Sequence, residues 1–564
     1  MAATLDDVLA LADDPGVRRT LTDLLLDILR VDTTVGPDLG KVRAGEQQVF
    51  DRIAEAVRLI RGSDDGLTRV PIDPAIEGDP YYTPTHYTAA EEGDVPLRAA
   101  ETYAGRANLV LRVPGRGRGA LAFNAHVDVV SPYIPPTVAD GLVRGRGACD
   151  DKGQVAAMVL ALGLIEEARR QCGIEPAADL LFEFVIDEEP GGNGSLSLAL
   201  DRRFACDAMV VLEISDLKVH PGNRGAVWYR LELDSPVPGR LDLVALAAAA
   251  VLALEEEGAA IKAESDHPLF PHRPVQTCHG IFGPWGEHPS AVNDRVELAA
   301  VFAAEPDAAQ VAAVVDEAVA AYCAVYGDKT READPETGQP KVDRHCDLAV
   351  EGDVARLTVH GKAGHMGAAA QCDNAITKAA WVIRALGVAA CLPAASFSLD
   401  PERPREPMRQ LVAEGGQGFL PTHSLAEVTE RMRRAVARAA EAHCQRLGVA
   451  WDPRLVAMTF DKLHNDAFAC DPEHPAVRAF VEAVRAAGVA VEEPLRGWDV
   501  SCDARIFARE YPAAAVITFG AGTLAHAHSA EEQVRLDDIA TVAKSIARFA
   551  LTHDPSGAGE RTQS

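Results

Sequence analysis

Carboxylate and imidazole side chains recur in five clusters between residues 126 and 528: His126-Val127-Asp128, Asp150-Asp151-Lys152-Gly153, Asp187-Glu188-Glu189, Glu213 and His528. These are donors that hold divalent cations, and the inventory suits one pair of ions bound side by side. Two such ions bring four positive charges; Asp150, Glu189 and Glu213 return three, and a hydroxide supplies the fourth. Paired cations acidify water and polarise a carbonyl, so the chemistry on offer is hydrolysis.

Each cluster also has a plainer reading. His126 and Asp128 are two residues apart, so on an extended chain both face one way, the imidazole as ligand and the carboxylate orienting it. A partly exposed His at a strand end would look the same. Asp150 follows Gly145-Arg146-Gly147-Ala148-Cys149 and stands near the start of an apolar, helical stretch from Gln154 to Ile165. Its two oxygens can bridge two cations, or one can cap the helix. Gly145-x-Gly147 does not continue into a nucleotide-binding Gly-x-Gly-x-x-Gly, because Asp150 holds the third position. The three adjacent carboxylates Asp187-Glu188-Glu189 repel one another, and after a buried strand they need a cation, hydrogen bonds or a solvated turn. With a cation, one Glu binds metal while its neighbour takes a proton from water. For Glu213 and His528 the alternatives are a surface Glu and a solvated pair with His526.

The elements that would position these groups are four short apolar runs, Ala120 to Ala125, Leu180 to Ile186, Ala208 to Leu212 and Ala514 to Phe519, which read as buried strands. Ligand-type residues follow each one. In open α/β sheets the site forms beyond the carboxyl ends of the strands, so four strands can deliver distant residues to one crevice.

At 564 residues, 48% hydrophobic and 25% charged, the chain has the composition of a globular protein large enough for two or more domains. A net charge of −29 argues against nucleic acid or an anionic membrane as partner. Met1 to Pro15 carries acids where a secretory signal needs a basic region, and apolar runs such as Gln154 to Ile165 are too short to span a bilayer. The eleven cysteines are scattered and never spaced Cys-x-x-Cys, which points to the cytoplasm and gives no support to a structural zinc site. Cys149 and Cys502 lie close to the clusters and read as small packing residues.

In order and spacing the clusters resemble the co-catalytic zinc peptidases and deacylases that include glutamate carboxypeptidase, acetylornithine deacetylase, succinyl-diaminopimelate desuccinylase, aminoacylase and carnosinase-like dipeptidases. The resemblance implies His126 as a metal ligand oriented by Asp128, Asp150 as the carboxylate shared by both metals, Glu188 as general base, and Glu189, Glu213 and His528 as further ligands. Asp216 and His526 stand near the last two and offer the same donor types. The implied cofactor is a pair of zinc ions, with cobalt or manganese compatible with the same donors. The implied substrate is a small peptide or an N-acyl amino acid.

The expected architecture is α/β, a discontinuous metal-binding sheet domain (residues 1–222 and 468–564) interrupted by an α+β lid (223–467) of two ferredoxin-like units. The lid reads twice as strand, helix, strands, helix. One half starts at Gly225 to Asp234, the other at Ala355 to Gly361, and the charged loop Asp328 to Arg344 separates them. A doubled lid resembles the dipeptidase branch and implies either a monomer or a homodimer. In that light His365, in Gly361-Lys362-Ala363-Gly364-His365, is the lid residue that reaches the substrate carbonyl, with Asn293 its companion; a turn His and a strand-end Asn are the alternatives. Arg505 is read as a clamp for a substrate carboxylate or as an ion-pair partner of Asp503. Residues 63–105 read as a surface insertion. Dipeptide cleavage and removal of an N-acyl group both split an amide beside a carboxylate, so the motifs serve either. A non-catalytic metal- or peptide-binding protein would keep the ligands but has no need of Glu188.

Overall fold

The computed structural model describes residues 3–89, 95–235, 241–334, 338–366 and 371–555. The chain forms two compact units, one made of residues 1–224, 268–271 and 465–564, the other of 225–267 and 272–464.

The first unit is built on a six-stranded sheet. Its strands are β1 (Leu67–Pro71), β2 (Ala107–Val113), β3 (Ala120–His126), β4 (Asp179–Val185), β5 (Ala208–Leu212) and β6 (Ala515–Phe519). They lie in the order β1-β2-β4-β3-β5-β6. The last four are mutually parallel, while β1 and β2 run antiparallel at one side. Every residue of β3 and β5 is buried, as expected of parallel strands covered on both faces. Pro71, which has no N–H for a ladder, falls on the edge strand. The helix Lys152–Cys172 is buried on almost all sides because it packs among three others, Pro15–Leu29, Leu39–Arg61 and Leu536–Thr552. Leu39–Arg61 has the opposite character. Asp38 caps its start by accepting from the Lys41 amide, its buried face repeats through Val42, Glu46, Val49, Phe50, Ile53 and Val57, and Gly62 ends it in the left-handed conformation at φ 73°.

The segment 63–105 is not a surface insertion. It contributes β1 to the sheet, and Thr83, Thr85, Thr102 and Tyr103 are buried. Proline and acids at its exposed turns masked this in the sequence.

The second unit holds two antiparallel sheets, each built on four strands in a βαββαβ order, with the short strand His464–Asn465 also pairing in the first of them. The outer one uses Gly225–Asp234, Thr277–Phe282, Gln410–Phe419 and Val456–Thr459, with helices Leu243–Glu264 and Leu425–Arg446. The inner one uses Arg295–Phe302, Cys346–Glu351, Val354–His360 and Ala395–Ser398, with helices Ala308–Tyr326 and Ala375–Val388. Both are ferredoxin-like, but the second is nested inside the first, whereas two tandem halves were expected. The strands Gln410–Phe419 and Cys346–Glu351 were not anticipated: the first carries Gly415, Gly416 and Gly418, which dilute the β signal, and the second is half-exposed. The loop 328–344 therefore lies within the inner sheet's connections and separates nothing. Ala308–Tyr326, at 19 residues, is long and apolar enough to cross a bilayer by composition, although Asp316 and Glu317 interrupt it, so it is not one of the uncharged runs expected to be too short. Here it buries Val311, Val315, Ala318 and Tyr322, one face, beside Ala375–Val388.

Candidate metal centre

The parallel strands end together. His126 closes β3 and is in register with Val185 at the end of β4; Leu212 at the end of β5 is in register with Phe519 at the end of β6. The chain then places Asp187, Glu188 and Glu189 just past β4, Glu213 just past β5, and His528 in the loop after β6. Gly520 lets this loop close on β5, since a Cβ there would stand 2.2 Å from the Glu213 carbonyl oxygen.

Two triads of ligand atoms result, His126 with Asp150 and Glu213, and Asp150 with Glu189 and His528; in each, the atoms lie within 4.8 Å of one another. Asp150 belongs to both. Its Oδ1 lies 3.1 Å from His126 Nε2 and its Oδ2 lies 2.8 Å from His528 Nε2, so the two oxygens face different imidazoles. His528 Nε2 is 3.2 Å from Glu189 Oε2. Asp150 does not cap the following helix; Asp151 holds that position, without a side-chain capping bond. Glu188 Oε2 comes to 3.9 Å from His126 Nε2. The neighbours that shared donor types are engaged elsewhere: His526 with Thr523 and Gln533, Asp216 with Lys218.

Asp128 does more than orient His126. His126 Nδ1 is 3.0 Å from the Asp128 carbonyl oxygen and 3.6 Å from its carboxylate. That carboxylate accepts the amides of Glu188, at 3.2 Å, and Glu189, at 3.1 Å. One residue thus fixes both a ligand and the base loop.

The electrostatics are those of crowded acids. Burial pushes the carboxyls of Glu188, Glu189 and Glu213 upward, and neighbouring carboxylates add to the shift. Asp150 goes the other way: burial would raise it, but hydrogen bonds from His126 and His528 hold it below the usual carboxylate range. Burial works against the charged form of His528, yet Glu189 and Asp150 push it up to about 11. So many buried acids are costly without cations. Two buried oxygens, Glu189 Oε1 and Asp151 Oδ1, have no hydrogen-bond partner. Donor types, shared carboxylate and orphaned ligand oxygen all fit a pair of divalent ions.

Behind the base loop lies a set of residues that sequence reasoning missed. Asp187, fully buried at φ 57°, accepts from Tyr87 (2.6 Å), Tyr103 (2.8 Å) and Arg106, whose guanidinium also pairs with buried Glu46. Asn193 bonds the Thr83 carbonyl and the Tyr103 hydroxyl, both at 2.8 Å. No local pattern marks Tyr87, Tyr103 or Arg106; a triple acid after a strand was the one available hint that a cation stood nearby.

Arg505 lies close behind this loop. It is 3% exposed, and its fork donates to the carbonyls of Cys502 (2.9 Å) and Gly191 (2.8 Å), with Asp503 at 3.5 Å. These contacts, with the Asp503 pairing that was one of its two expected readings, tie Arg505 to the loop of Gly191, and its Nε has no hydrogen-bond partner. Asn293 and His365 belong to the other unit. Asn293 Oδ1 accepts the Arg295 amide at 3.0 Å, and the backbone of Gly364–His365 pairs with Ala291–Val292.

The sequence profile of peptidase family M20/M25/M40 matches residues 122–552. Among curated proteins, the N-formyl-4-amino-5-aminomethyl-2-methylpyrimidine deformylase of Bacillus subtilis is 32% identical over 148 residues, 24% of this chain and 33% of that protein. The match thus takes in only a third of that relative's length. Among solved structures, the di-peptidase Dug1p of Saccharomyces cerevisiae superposes with a TM-score of 0.55 at 13% identity, covering 99% of this chain and 100% of the other. Human carnosine dipeptidase 1 gives 0.54 at 13% identity, covering 98% and 99%. At such identities the likeness is one of fold.

Proposed function

We propose, since this chain belongs to peptidase family M20/M25/M40 and is a hydrolase of that family, that it splits amide bonds of small peptides with two divalent metal ions and Glu188 as general base. The observation that carries this reading is the sharing of Asp150 between two ligand triads, one oxygen toward each. His126, Asp150 and Glu213 would hold one ion, and Asp150, Glu189 and His528 the other; zinc suits these donors, and cobalt or manganese would also be accepted. When bound, the ions supply Lewis acidity for the amide carbonyl and lower the pKa of water. Glu188, whose carboxyl is pushed up by burial and by Asp503 and Glu213, takes the proton of the attacking water and returns it to the leaving amine. Asp128 holds the Glu188 amide and His126 in fixed relation, so base and ligand move together. His365 and Asn293 are assigned to substrate binding, and Arg505 to positioning the base loop.

A second reading, removal of an N-acyl group, is favoured by the likeness to the Bacillus subtilis deformylase and uses the same residues. The eleven free cysteines support a cytoplasmic location. The test is metal analysis of the purified protein together with turnover of a panel of dipeptides and N-acyl amino acids by wild type and Glu188→Gln. We expect two ions per chain in both proteins and a loss of turnover of about 10²–10⁴-fold in the variant. Near-normal turnover in Glu188→Gln would remove Glu188 from its role, and a metal-free, inactive wild type would remove the reading altogether.

A further inference from the structure

We propose that Cys323, Asp328 and His345, all within the inserted unit, form an additional site for a zinc-class metal ion. Cys323 sits in the last turn of the helix Ala308–Tyr326, Asp328 follows Gly327, and His345 immediately precedes the strand Cys346–Glu351. The inner ferredoxin-like topology brings both ends of the loop 328–344 together there.

Two observations carry the site. His345 Nε2 stands 3.4 Å from Cys323 Sγ and 3.1 Å from Asp328 Oδ1, and the three ligand atoms all lie within 4.8 Å of one another. A tetrahedral zinc with ordinary bond lengths would set sulfur–nitrogen and nitrogen–oxygen separations of about 3.5 and 3.4 Å, so only shifts of a few tenths of an ångström are needed. The second observation is a proton count. A neutral Nε2–H gives its single proton chiefly to Asp328 and leaves the thiol only a weak sulfur contact, whereas a cation is held by sulfur, nitrogen and oxygen together. A cation satisfies both contacts.

The surroundings suit an ion bound at the edge of the fold. Asp328 is aimed by the Thr330 amide (3.1 Å) and hydroxyl (2.6 Å) on Oδ1, and Arg331 pairs with Oδ2 at 2.9 Å. The His345 and Asp328 side chains keep 14% and 28% exposure, leaving a fourth position to water. Thiolate, imidazole and carboxylate together select zinc over calcium or magnesium, and binding would release the thiol proton to solvent. The ion would staple the loop's two ends.

Cobalt substitution tests this, because thiolate ligation gives an intense near-ultraviolet charge-transfer band that imidazole and carboxylate do not. Full-length protein is stripped with chelator and titrated with cobalt. We expect the band in wild type and in Glu189→Gln, and its loss in Cys323→Ser and in His345→Gln, each checked for folding by circular dichroism. Wild type without the band at saturating cobalt, or a folded Cys323→Ser that retains it, overturns the site. If Cys323→Ser does not fold, His345→Gln carries the same decision. Because the band reports sulfur ligation alone, its outcome is separate from the fate of the carboxylate-rich centre.

Discussion

Glu189 and His528 stand 3.2 Å apart and serve one triad, yet the chain holds them in opposite ways. The Glu189 side chain is 9% exposed and that of His528 is 53%. The loop of Glu189 is gripped from every direction: Asp128 holds its amide, Arg505 the Gly191 carbonyl, Asn193 reaches Thr83 and Tyr103, and Asp187 is enclosed by two tyrosines and Arg106. Even its glycines are committed. A Cβ at Gly191 would meet Thr83 Oγ1 at 2.3 Å, and one at Gly192 would meet Asp503 Oδ1 at 2.2 Å. From Thr523 to Glu531 the bonds near His528 close within its own loop, Thr523 with His526, Ser529 with the His526 carbonyl, and the Glu531 amide with Ser529, before Glu532 returns to Arg146 and to the Cys149 and Asp150 amides. One ligand is set by the scaffold; the other comes from a surface turn. If the proposed ions bind here, Glu188 and Glu189 are organised before they arrive, while His528 is the residue that their binding would order.

The sharpest way to break this contrast is Arg106→Met. It leaves Asp187 and Glu46 buried at 0% and 2% exposure without their cation, and stranding a buried charge costs about 3–5 kcal/mol. Denaturant unfolding should show that loss, and hydrolysis should fall with it because the base loop slackens. A variant as stable and as active as wild type would mean that Arg106 does not brace the loop.

How much of this was readable from the sequence differs between the same two regions. The candidate ligands were legible because metal chemistry restricts such groups to few residue types and the parallel strands announce their ends by apolar runs. His126, Asp150, Glu189, Glu213 and His528 were all named, and the structure brings them into two triads. The brace was not legible. Arg106, Tyr87 and Tyr103 act through contacts 81 to 100 residues distant in the chain, and such pairings leave no local period or spacing. Arg505 was seen as a functional cation, but only its burial reveals that backbone carbonyls occupy its fork. In the inserted unit, helices and most strands were readable, whereas the nesting of one ferredoxin-like unit in the other depends on which strands pair, and pairing is not a property of any single segment. The triad of Cys323, Asp328 and His345 escaped for the same reason, since its spacing matches no zinc motif.

Removing metal should sharpen the contrast at intermediate scale. Stripped with chelator, the protein is expected to lose amide protection in residues 523–531 while 187–194 stay as protected as in the metal-loaded form, because the latter are held by protein groups alone. Hydrogen exchange followed by mass spectrometry reads both segments in one experiment. Equal loss in the two loops would make the brace irrelevant to pre-organisation.

The smallest effect concerns the acid behind Arg106. Burial pushes Glu46 up from 4.5 to about 7, against the charge of Arg106 and helped by Asp187. Below about pH 4.5 the group is protonated in folded and unfolded chains alike; between there and about 7 the folded chain keeps a proton that the unfolded chain has lost, so its contribution to stability falls as pH rises. Above about 7 the loss is complete, at most ~3 kcal/mol. Glu46→Gln cannot titrate and should lack this component. Unfolding midpoints of both proteins near about pH 5 and about pH 8 should therefore diverge, the variant gaining relative to wild type on the alkaline side. A constant difference between them would show that Glu46 does not hold that proton.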